Sequence, residues 1–253
     1  MKPRRDMEAV LAERKALWNE VGRQDNVAQL ILAEETPLTK EEFYESGRRD
    51  VERLCLPFFQ KEGFDPAGNR VLDLGCGAGR TARPLSQIFG EAYGIDISEE
   101  MVNVARKWNE DRPNLHFDTG SGGDLKIYED DRFDFVFSCT VLPHVPRREI
   151  INSYLHEVDR VLKPGGLFQI QVAREWYRFG GIPVHRTIVE FVVTKLAGPY
   201  SRLCKLVGTY PWLGVSVSRN EFRRMLADTS LEVIEVAGEE GGNHWWCKGR
   251  KRD

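Results

Sequence analysis

The sequence predicts an α/β fold: a doubly wound, mostly parallel seven-stranded sheet that ends in an antiparallel C-terminal hairpin. Between residues 70 and 173, short apolar segments alternate with longer segments of helical spacing, which is the pattern of right-handed βαβ units. The last two apolar segments, 231–237 and 244–251, are joined by the turn residues EEGGN, which predicts a hairpin. Together, these observations indicate a parallel sheet with an antiparallel edge.

Each element has a local signal in the sequence. The helix predicted over 40–61 follows Thr39 and carries acidic residues in its first turn, which favours a helix start there. The helix predicted over 98–110 has Ser98 as its N-cap. The five parallel strands are predicted at 70–74, 92–96, 114–118, 133–138 and 167–172, the last one after a KPGG turn at 163–166. Further helices are predicted at 6–33, 79–90, 147–161 and 219–228.

The predicted elements divide the chain into an N-terminal helical cap over 1–62 and an α/β domain over 63–253. Within the second part, residues 174–218 break the strand–helix rhythm and are rich in aromatic residues and glycine, with one helix predicted near 186–197. This segment is too long for a plain connection. We therefore expect it to be an inserted lid over the substrate, with an apolar face and a locally positive charge that tolerates an acidic substrate.

Composition limits the classes of function. The 253 residues are 41% hydrophobic with a net charge of −3, which gives no general attraction to nucleic acid. The five cysteines are scattered and odd in number, which suits free thiols in a reducing compartment. Neither a secretory signal nor an apolar run long enough to span a membrane is present, so we expect a cytoplasmic protein. The oligomeric state is not indicated.

The stretch VLDLGCGAGR, residues 71–80, runs from a predicted strand into a glycine-rich turn. Glycines at three alternate positions cost backbone entropy, so a turn without a ligand is disfavoured. A phosphate-binding P-loop is excluded because no lysine follows the glycines. A dinucleotide turn needs a third glycine where Arg80 stands. Asp73, two residues before the first glycine, suits a ligand that carries an ammonium group and no phosphate.

This DxGxGxG arrangement resembles motif I of the class I methyltransferases that use S-adenosylmethionine. Four later segments resemble the family in order and spacing: YGID at 93–96, FDTGSGGDL at 117–125, FDFVFSCTVLPHVP at 133–146 and VLKPGG at 161–166. The chain is therefore identified as a member of this family, of the small-molecule type. The resemblance implies that residues 63–253 form a Rossmann-like domain that binds S-adenosyl-L-methionine and releases S-adenosyl-L-homocysteine.

The resemblance also implies a set of cofactor-binding residues. Asp73 would orient the amino group of the cofactor, Asp96 would accept both ribose hydroxyls, and Arg48 of the cap would face the methionine carboxylate. Ser121 stands where the family places an aspartate beside the adenine, so Ser121, Asp124 or a backbone group is expected to take that role. The full expected set is Gly47, Arg48, Asp73, Gly75, Cys76, Gly77, Gly79, Asp96, Ile97, Met101, Ser121, Gly122 and Ser138. No metal site is expected.

The expected activity is methyl transfer to an oxygen, nitrogen or carbon of a small molecule. His144 is the candidate general base, because its loop follows the fourth strand and its ordinary pKa is near neutrality. SCTV stands where enzymes that methylate nucleobase or amide nitrogens carry [DN]PP[YF], which disfavours those acceptors. The alternatives are a cofactor-binding sensor or partner protein without turnover, a protein or RNA methyltransferase, and a nicotinamide-linked oxidoreductase.

Overall fold

The computed structural model describes residues 6–32, 34, 36–174, 176–179, 182–185, 214–238 and 244–253. The helices are α1 (Met7–Gly22), α2 (Val27–Leu32), α3 (Lys40–Leu54), α4 (Leu56–Glu62), α5 (Ala82–Leu85), α6 (Glu99–Trp108), α7 (Arg148–Val161) and α8 (Arg219–Leu226), with a 3₁₀ helix at Leu142–His144. The strands are β1 (Arg70–Leu74), β2 (Glu91–Asp96), β3 (Leu115–Thr119), β4 (Phe133–Ser138), β5 (Leu162–Ala173), β6 (Trp176–Phe179), β7 (Ile182–His185), β8 (Leu231–Gly238) and β9 (His244–Lys251).

A single seven-stranded sheet carries the fold, in the order β3-β2-β1-β4-β5-β9-β8. The pairs from β3 to β5 are parallel, and β9 pairs antiparallel with both β5 and β8. This confirms the predicted doubly wound sheet with an antiparallel C-terminal hairpin. Because the chain leaves β1 toward β2 on one side and later returns to β4 on the other, a crevice opens at the carboxyl end of β1.

Local signals explain where the helices begin. The Thr39 hydroxyl accepts a hydrogen bond from the backbone N–H of Glu42 at 3.1 Å, and the Glu42 carboxylate accepts one in return from the Thr39 N–H at 2.9 Å. The Ser98 hydroxyl accepts from the Met101 N–H at 3.2 Å and caps α6 as predicted. Such reciprocal caps satisfy backbone donors that the first helical turn leaves unpaired.

Four elements differ from the sequence prediction. The helix predicted over 40–61 is divided at Cys55 into α3 and α4, with Pro57 in the first turn of α4. The predicted helix over 6–33 is two helices, because residues 23–26, which include the turn-forming Asp25 and Asn26, form a turn between α1 and α2. The helix predicted over 79–90 is regular only over Ala82–Leu85 and continues as tight turns, in which the N–H groups of Gln87 and Ile88 donate to the carbonyls three residues earlier. The KPGG segment is part of β5, with an irregular register against β4.

The predicted lid, 174–218, is described only in part. Strands β6 and β7 pair antiparallel as a separate two-stranded sheet. The helix expected near 186–197 lies outside the described residues.

The sheet separates two apolar clusters, since successive residues of a strand face opposite sides. On one side, Leu72 and Val136 pack with α7 and α8. On the other side, Val71 and Phe135 pack with α3, α4 and α5. These four side chains are fully buried. Helices on both faces therefore hold the carboxyl ends of β1, β2 and β4 in fixed positions relative to one another.

Candidate functional site

A cavity of about 1190 Å³, including its open mouth, lies at the carboxyl ends of β1, β2, β3 and β4. Its floor is the glycine turn and the loops that follow β2 and β3, one wall is the loop after β4, and the roof is formed by α1 and α2. Eight of the residues expected from the sequence line it: Gly75, Cys76, Gly77, Asp96, Ile97, Met101, Gly122 and His144. This is the crevice where open parallel sheets bind their ligands.

The glycine turn and the end of β2 hold each other through the carboxylate of Asp96. One oxygen of Asp96 accepts from the Gly77 N–H at 2.9 Å, and the other accepts from the Ser98 N–H at 2.9 Å. Burial raises the pKa of Asp96 despite these hydrogen bonds. Gly77 has a φ of 52°, a left-handed conformation that glycine adopts without steric cost. The result is a fixed carboxylate whose remaining lone pairs can accept two hydroxyl groups.

The loop after β3 places Asp124, not Ser121, in the cavity. The Ser121 hydroxyl accepts from the Gly123 and Asp124 N–H groups at 3.2 and 3.0 Å and lies on the exposed side of the loop. Asp124 and Gly122 line the cavity, with Ile97 packed so close to Gly122 that a Cβ there would collide with it. Of the three alternatives for the adenine edge, the side chain that reaches the cavity is Asp124.

Asp73 lies beneath the glycine turn and does not line the cavity. Its carboxylate is buried and accepts a hydrogen bond from the Thr81 hydroxyl at 2.7 Å. Burial raises the pKa of Asp73 to about 6. Ser138 is also buried, where it donates to the Leu74 carbonyl at 3.1 Å, and Gly79 packs under Phe117. These residues brace the strand ends instead of facing the cavity.

Helix α3 does not form the roof, contrary to the expectation for Gly47 and Arg48. Arg48 is exposed and pairs with Glu45 and Glu52 one turn away on the same helix. Gly47 is buried against the backbone of Arg80, and neither residue lines the cavity. The resemblance implied a contact of both residues with the cofactor, whereas the structure places Arg48 at the exposed surface of α3 and Gly47 against the glycine turn.

Helices α1 and α2 cover the cavity instead. Leu11, Arg14 and Trp18 of α1 and Ile31 and Leu32 of α2 line it. The roof is fixed over the loop after β2, where Asn19 Oδ1 accepts from the Ser98 hydroxyl at 2.8 Å. The signal in the sequence was the spacing of Leu11, Arg14 and Trp18, which places them on one face of a helix.

Arg80 is a cavity residue that sequence reasoning used only to exclude a dinucleotide. Its side chain is 11% exposed and pairs with Asp50 of α3 at 2.7 Å. A second contact joins Arg80 Nη1 to the Ser46 hydroxyl at 3.5 Å. Arg80, directly after the glycine turn, thus places a buried guanidinium in the wall of the cavity, and its ion pair with Asp50 fixes it to α3.

The loop after β4 forms the wall opposite α1. His144 lines the cavity and meets the edge of Trp18 with their ring centroids 5.4 Å apart. Thr140 has a φ of 62°, an unusual conformation for a β-branched residue, and its N–H donates to Gln171 Oε1 at 2.8 Å. Strain of this kind persists at functional sites where neighbouring contacts enforce it. Cys139 and Val141 complete this wall.

Three further observations concern the described part of the chain. Its residues contain no group of three or more histidine, cysteine or acidic side chains that could hold a metal ion. None of its helices is both long and apolar enough to cross a membrane. The described cysteines, Cys55, Cys76, Cys139 and Cys247, are free thiols.

Comparison with known proteins identifies a family and several relatives of this chain. Residues 72–170 match the methyltransferase domain family. A ubiquinone biosynthesis O-methyltransferase from Xanthomonas oryzae pv. oryzae is 35% identical over 176 residues, which are 69% of this chain and 67% of that protein. A protein of the same name from Bradyrhizobium diazoefficiens is 30% identical over 172 residues, 68% of this chain. The match spans 61% of the length of the Bradyrhizobium protein.

Solved structures share the fold. Magnesium protoporphyrin IX methyltransferase from Synechocystis PCC 6803, solved with bound SAH, aligns with a TM-score of 0.63 at 18% identity over 96% of this chain and 99% of that one. The YcgJ protein from Bacillus subtilis aligns with a TM-score of 0.55 at 20% identity over 78% of this chain and 98% of that one. At these identities the likeness is one of fold.

The fold, the ordered motifs and the relatives of 30% identity or more agree with one another. Residues 72–170 match the methyltransferase domain family, and the matched segment contains the glycine turn and the acid at the end of β2. This chain belongs to the class I S-adenosylmethionine-dependent methyltransferases.

Proposed function

We propose that this protein transfers a methyl group from S-adenosyl-L-methionine to a hydroxyl oxygen of a small molecule. The observation that carries the proposal is the carboxylate of Asp96, fixed by two backbone N–H groups at the floor of a roofed cavity. An oxygen acceptor is favoured over nitrogen or carbon because His144 lines the cavity and because the relatives above are named O-methyltransferases.

The residues of the cavity fit the proposed cofactor. Asp96 offers lone pairs to a ribose diol, and the side chains of Ile97 and Met101 offer an apolar surface to a purine. Asp124 lines the same end and can accept a hydrogen bond from an exocyclic amino group. When bound, S-adenosyl-L-methionine supplies an electrophilic methyl group and leaves as S-adenosyl-L-homocysteine.

The protein has three tasks in such a reaction. The roof of α1 and α2 excludes water, the walls orient the acceptor, and a base takes the hydroxyl proton. His144 is suited to the last task, because it lies on the wall that follows β4 and its ring is held edge-on by Trp18. Alignment of the reactants supplies most of the rate enhancement expected in a displacement of this kind.

A small acceptor is proposed because the cavity is covered by α1 and α2. A nucleic acid partner is disfavoured by the net charge of −3. The free thiols Cys55, Cys76, Cys139 and Cys247 support a reducing compartment such as the cytoplasm. We further propose that residues 174–218 act as the substrate lid of the domain over 63–253.

Binding of S-adenosylhomocysteine tests the cofactor assignment. At about 100 times Kd, the ligand is expected to raise Tm by about 5 to 10 °C. Asp96→Asn should weaken binding by about 10- to 100-fold, because an amide presents a donor where the site needs acceptors. The matched control is Asp118→Asn at the end of the neighbouring strand, whose carboxylate accepts from Tyr128 outside the cavity. The assignment fails if the wild-type protein shows no shift.

Transfer of a labelled methyl group to a panel of small phenols, alcohols and hydroxy acids tests the acceptor class. His144→Gln should lower turnover of an active hydroxyl acceptor by about 10²- to 10⁴-fold while S-adenosylhomocysteine still binds. His116→Gln, an exposed histidine on β3, is the control and should keep full turnover. Equal turnover in His144→Gln and wild type would refute the role of His144 as the base.

A further inference from the structure

The four residues 214–217, which lie shortly before α8, form hydrogen bonds with the loop that carries His144. The Gly214 N–H donates to the Pro143 carbonyl at 2.6 Å, and the Val215 N–H donates to the Val145 carbonyl at 2.8 Å. These two acceptors flank His144 in the sequence. The backbone of the candidate base is therefore held on both sides by a segment that follows β7 in the chain.

Gly214 is the residue that permits this approach. An added Cβ at Gly214 would collide with the nitrogen, the carbonyl carbon and the carbonyl oxygen of Val145. All three are backbone atoms, which cannot turn aside as the end of a flexible side chain can. Because only glycine lacks a Cβ, any other residue at 214 must displace the backbone of Val145, and His144 with it.

Segment 214–217 is itself anchored to the α/β domain. Arg148 Nη2 of α7 donates to the Ser216 carbonyl at 3.0 Å, and Arg148 Nε pairs with Glu221 of α8 at 2.7 Å. The Val217 N–H donates to the carbonyl of Ala173 at the end of β5 at 3.3 Å, and the Val217 side chain is buried in the core. The segment therefore fixes the loop after β4 relative to β5, α7 and α8.

The loop after β4 has little regular structure of its own to hold His144. Its 3₁₀ helix covers only Leu142–His144, and hydrogen bonds in such a turn have poorer geometry than those of an α-helix. Before this turn, Thr140 is held in its left-handed conformation by Gln171 of β5. After it, the contacts with segment 214–217 set the position of the backbone. A displacement of about 1 Å in a reacting group can cost about 100-fold in rate.

We propose that Gly214 is a positioning residue for His144, and that it acts through the backbone of Pro143 and Val145. This inference rests on the proposed function, because it requires His144 to be the base. Gly214 does not line the cavity, so its effect on turnover passes through the loop that it contacts. Binding of the methyl donor at Asp96 should not depend on it.

A double-mutant cycle separates this role from a purely structural one. It compares turnover of an active hydroxyl acceptor in the wild type, Gly214→Ala, His144→Gln and the double variant. In the wild-type background, Gly214→Ala should lower kcat by about 10- to 100-fold. In the His144→Gln background it should lower kcat by less than about threefold, because no imidazole is left to position.

Two controls accompany the cycle. The affinity for S-adenosylhomocysteine should stay within about twofold of the wild type in all four proteins, since Asp96 is distant from segment 214–217 in the site. Ser216→Ala changes a half-buried side chain of the same segment but keeps its backbone hydrogen bonds, so it should keep the kcat of the wild type.

Nuclear magnetic resonance of protein with labelled histidine provides a readout that needs no acceptor. The Trp18 ring, whose centroid is 5.4 Å from that of His144, should shift the ring-proton signals of His144. Absence of these signals in His144→Gln assigns them. Gly214→Ala should reduce this ring-current shift and leave the signals of the exposed His116 in place. If Gly214→Ala is poorly folded, Arg148→Met, which releases the Ser216 carbonyl, should reduce the shift to a smaller extent.

The outcomes distinguish failure of this proposal from failure of the proposed base. The proposal is overturned if Gly214→Ala keeps both the turnover and the His144 signals of the wild type. It is also overturned if Gly214→Ala lowers kcat by the same factor in both backgrounds, which is the result expected of a purely structural role. Full turnover in His144→Gln would overturn the proposed base, and the positioning role with it.

Discussion

Replacing Gly47 with alanine sets two effects of opposite sign against each other. Within an isolated helix, alanine is more favourable than glycine by about 1 kcal/mol. In this fold the new Cβ would lie 2.7 Å from the carbonyl carbon of Arg80 and closer still to the oxygen, so α3 must move by about 1 Å to restore ordinary contact. Overpacking of this kind costs about 1 to 3 kcal/mol, occasionally more. We expect the packing effect to win, with a net loss of up to about 2 kcal/mol.

Urea unfolding followed by circular dichroism measures this loss directly. In thermal unfolding, at about 2 to 4 °C per kcal/mol for a chain of this size, Tm should fall by up to about 8 °C. Arg49→Ala, at an exposed position on the same helix, should change the unfolding free energy by less than about 0.5 kcal/mol. A Gly47→Ala variant as stable as the wild type, or more stable, would show that helix propensity prevails and that α3 is not tightly docked on Arg80.

Three other substitutions test separate features. Burial raises the pKa of Asp73 from 3.8 to about 6, so its contribution to stability is present below about pH 4 and lost as the pH rises through about 6. Between pH 4 and pH 7, Asp73→Asn should remove up to about 3 kcal/mol of the decline in unfolding free energy, measured by urea unfolding. The same dependence of the unfolding free energy on pH in the variant and the wild type would contradict this prediction. Thr140→Gly should raise the unfolding free energy by about 1 kcal/mol, because an exposed threonine at positive φ is replaced by glycine; a loss would show that the backbone is unstrained. Arg48→Ala should bind S-adenosylhomocysteine within about twofold of wild type, and a tenfold loss in calorimetry would restore the sequence-based assignment.

Much of the fold could be predicted because its signals are local. The alternation of apolar and helical segments located all seven strands of the main sheet, and Ser98 marked the start of α6. Asp96 could be placed at the ligand end of the sheet because the carboxyl ends of parallel strands lie at one edge. The helix predicted over 79–90 was an exception. A short helix that continues as tight turns has the same spacing of apolar residues as a regular helix.

The site was harder to predict wherever a residue's role depends on which surface it meets. Ser121 and Asp124 are three positions apart in one loop, and the hydroxyl of Ser121 bonds within the loop while Asp124 reaches the cavity. Arg48 and Arg80 are both arginines near glycines, yet one is exposed and the other buried. In each pair, both residues have a suitable side chain and a suitable place in the sequence. Residue type and spacing therefore do not show which of the two lines the cavity.

The sequence alone determined the order of the strands and helices, the glycine turn and the acid that follows β2, because periodicity, capping and turn chemistry act between residues close in the chain. The tertiary structure decided that α1 and α2 cover the cavity, that α3 packs on the glycine turn, and that Arg80 is the arginine held inside. These contacts join segments 30 or more residues apart. They depend on which faces pack best against the sheet, and no local pattern contains that information.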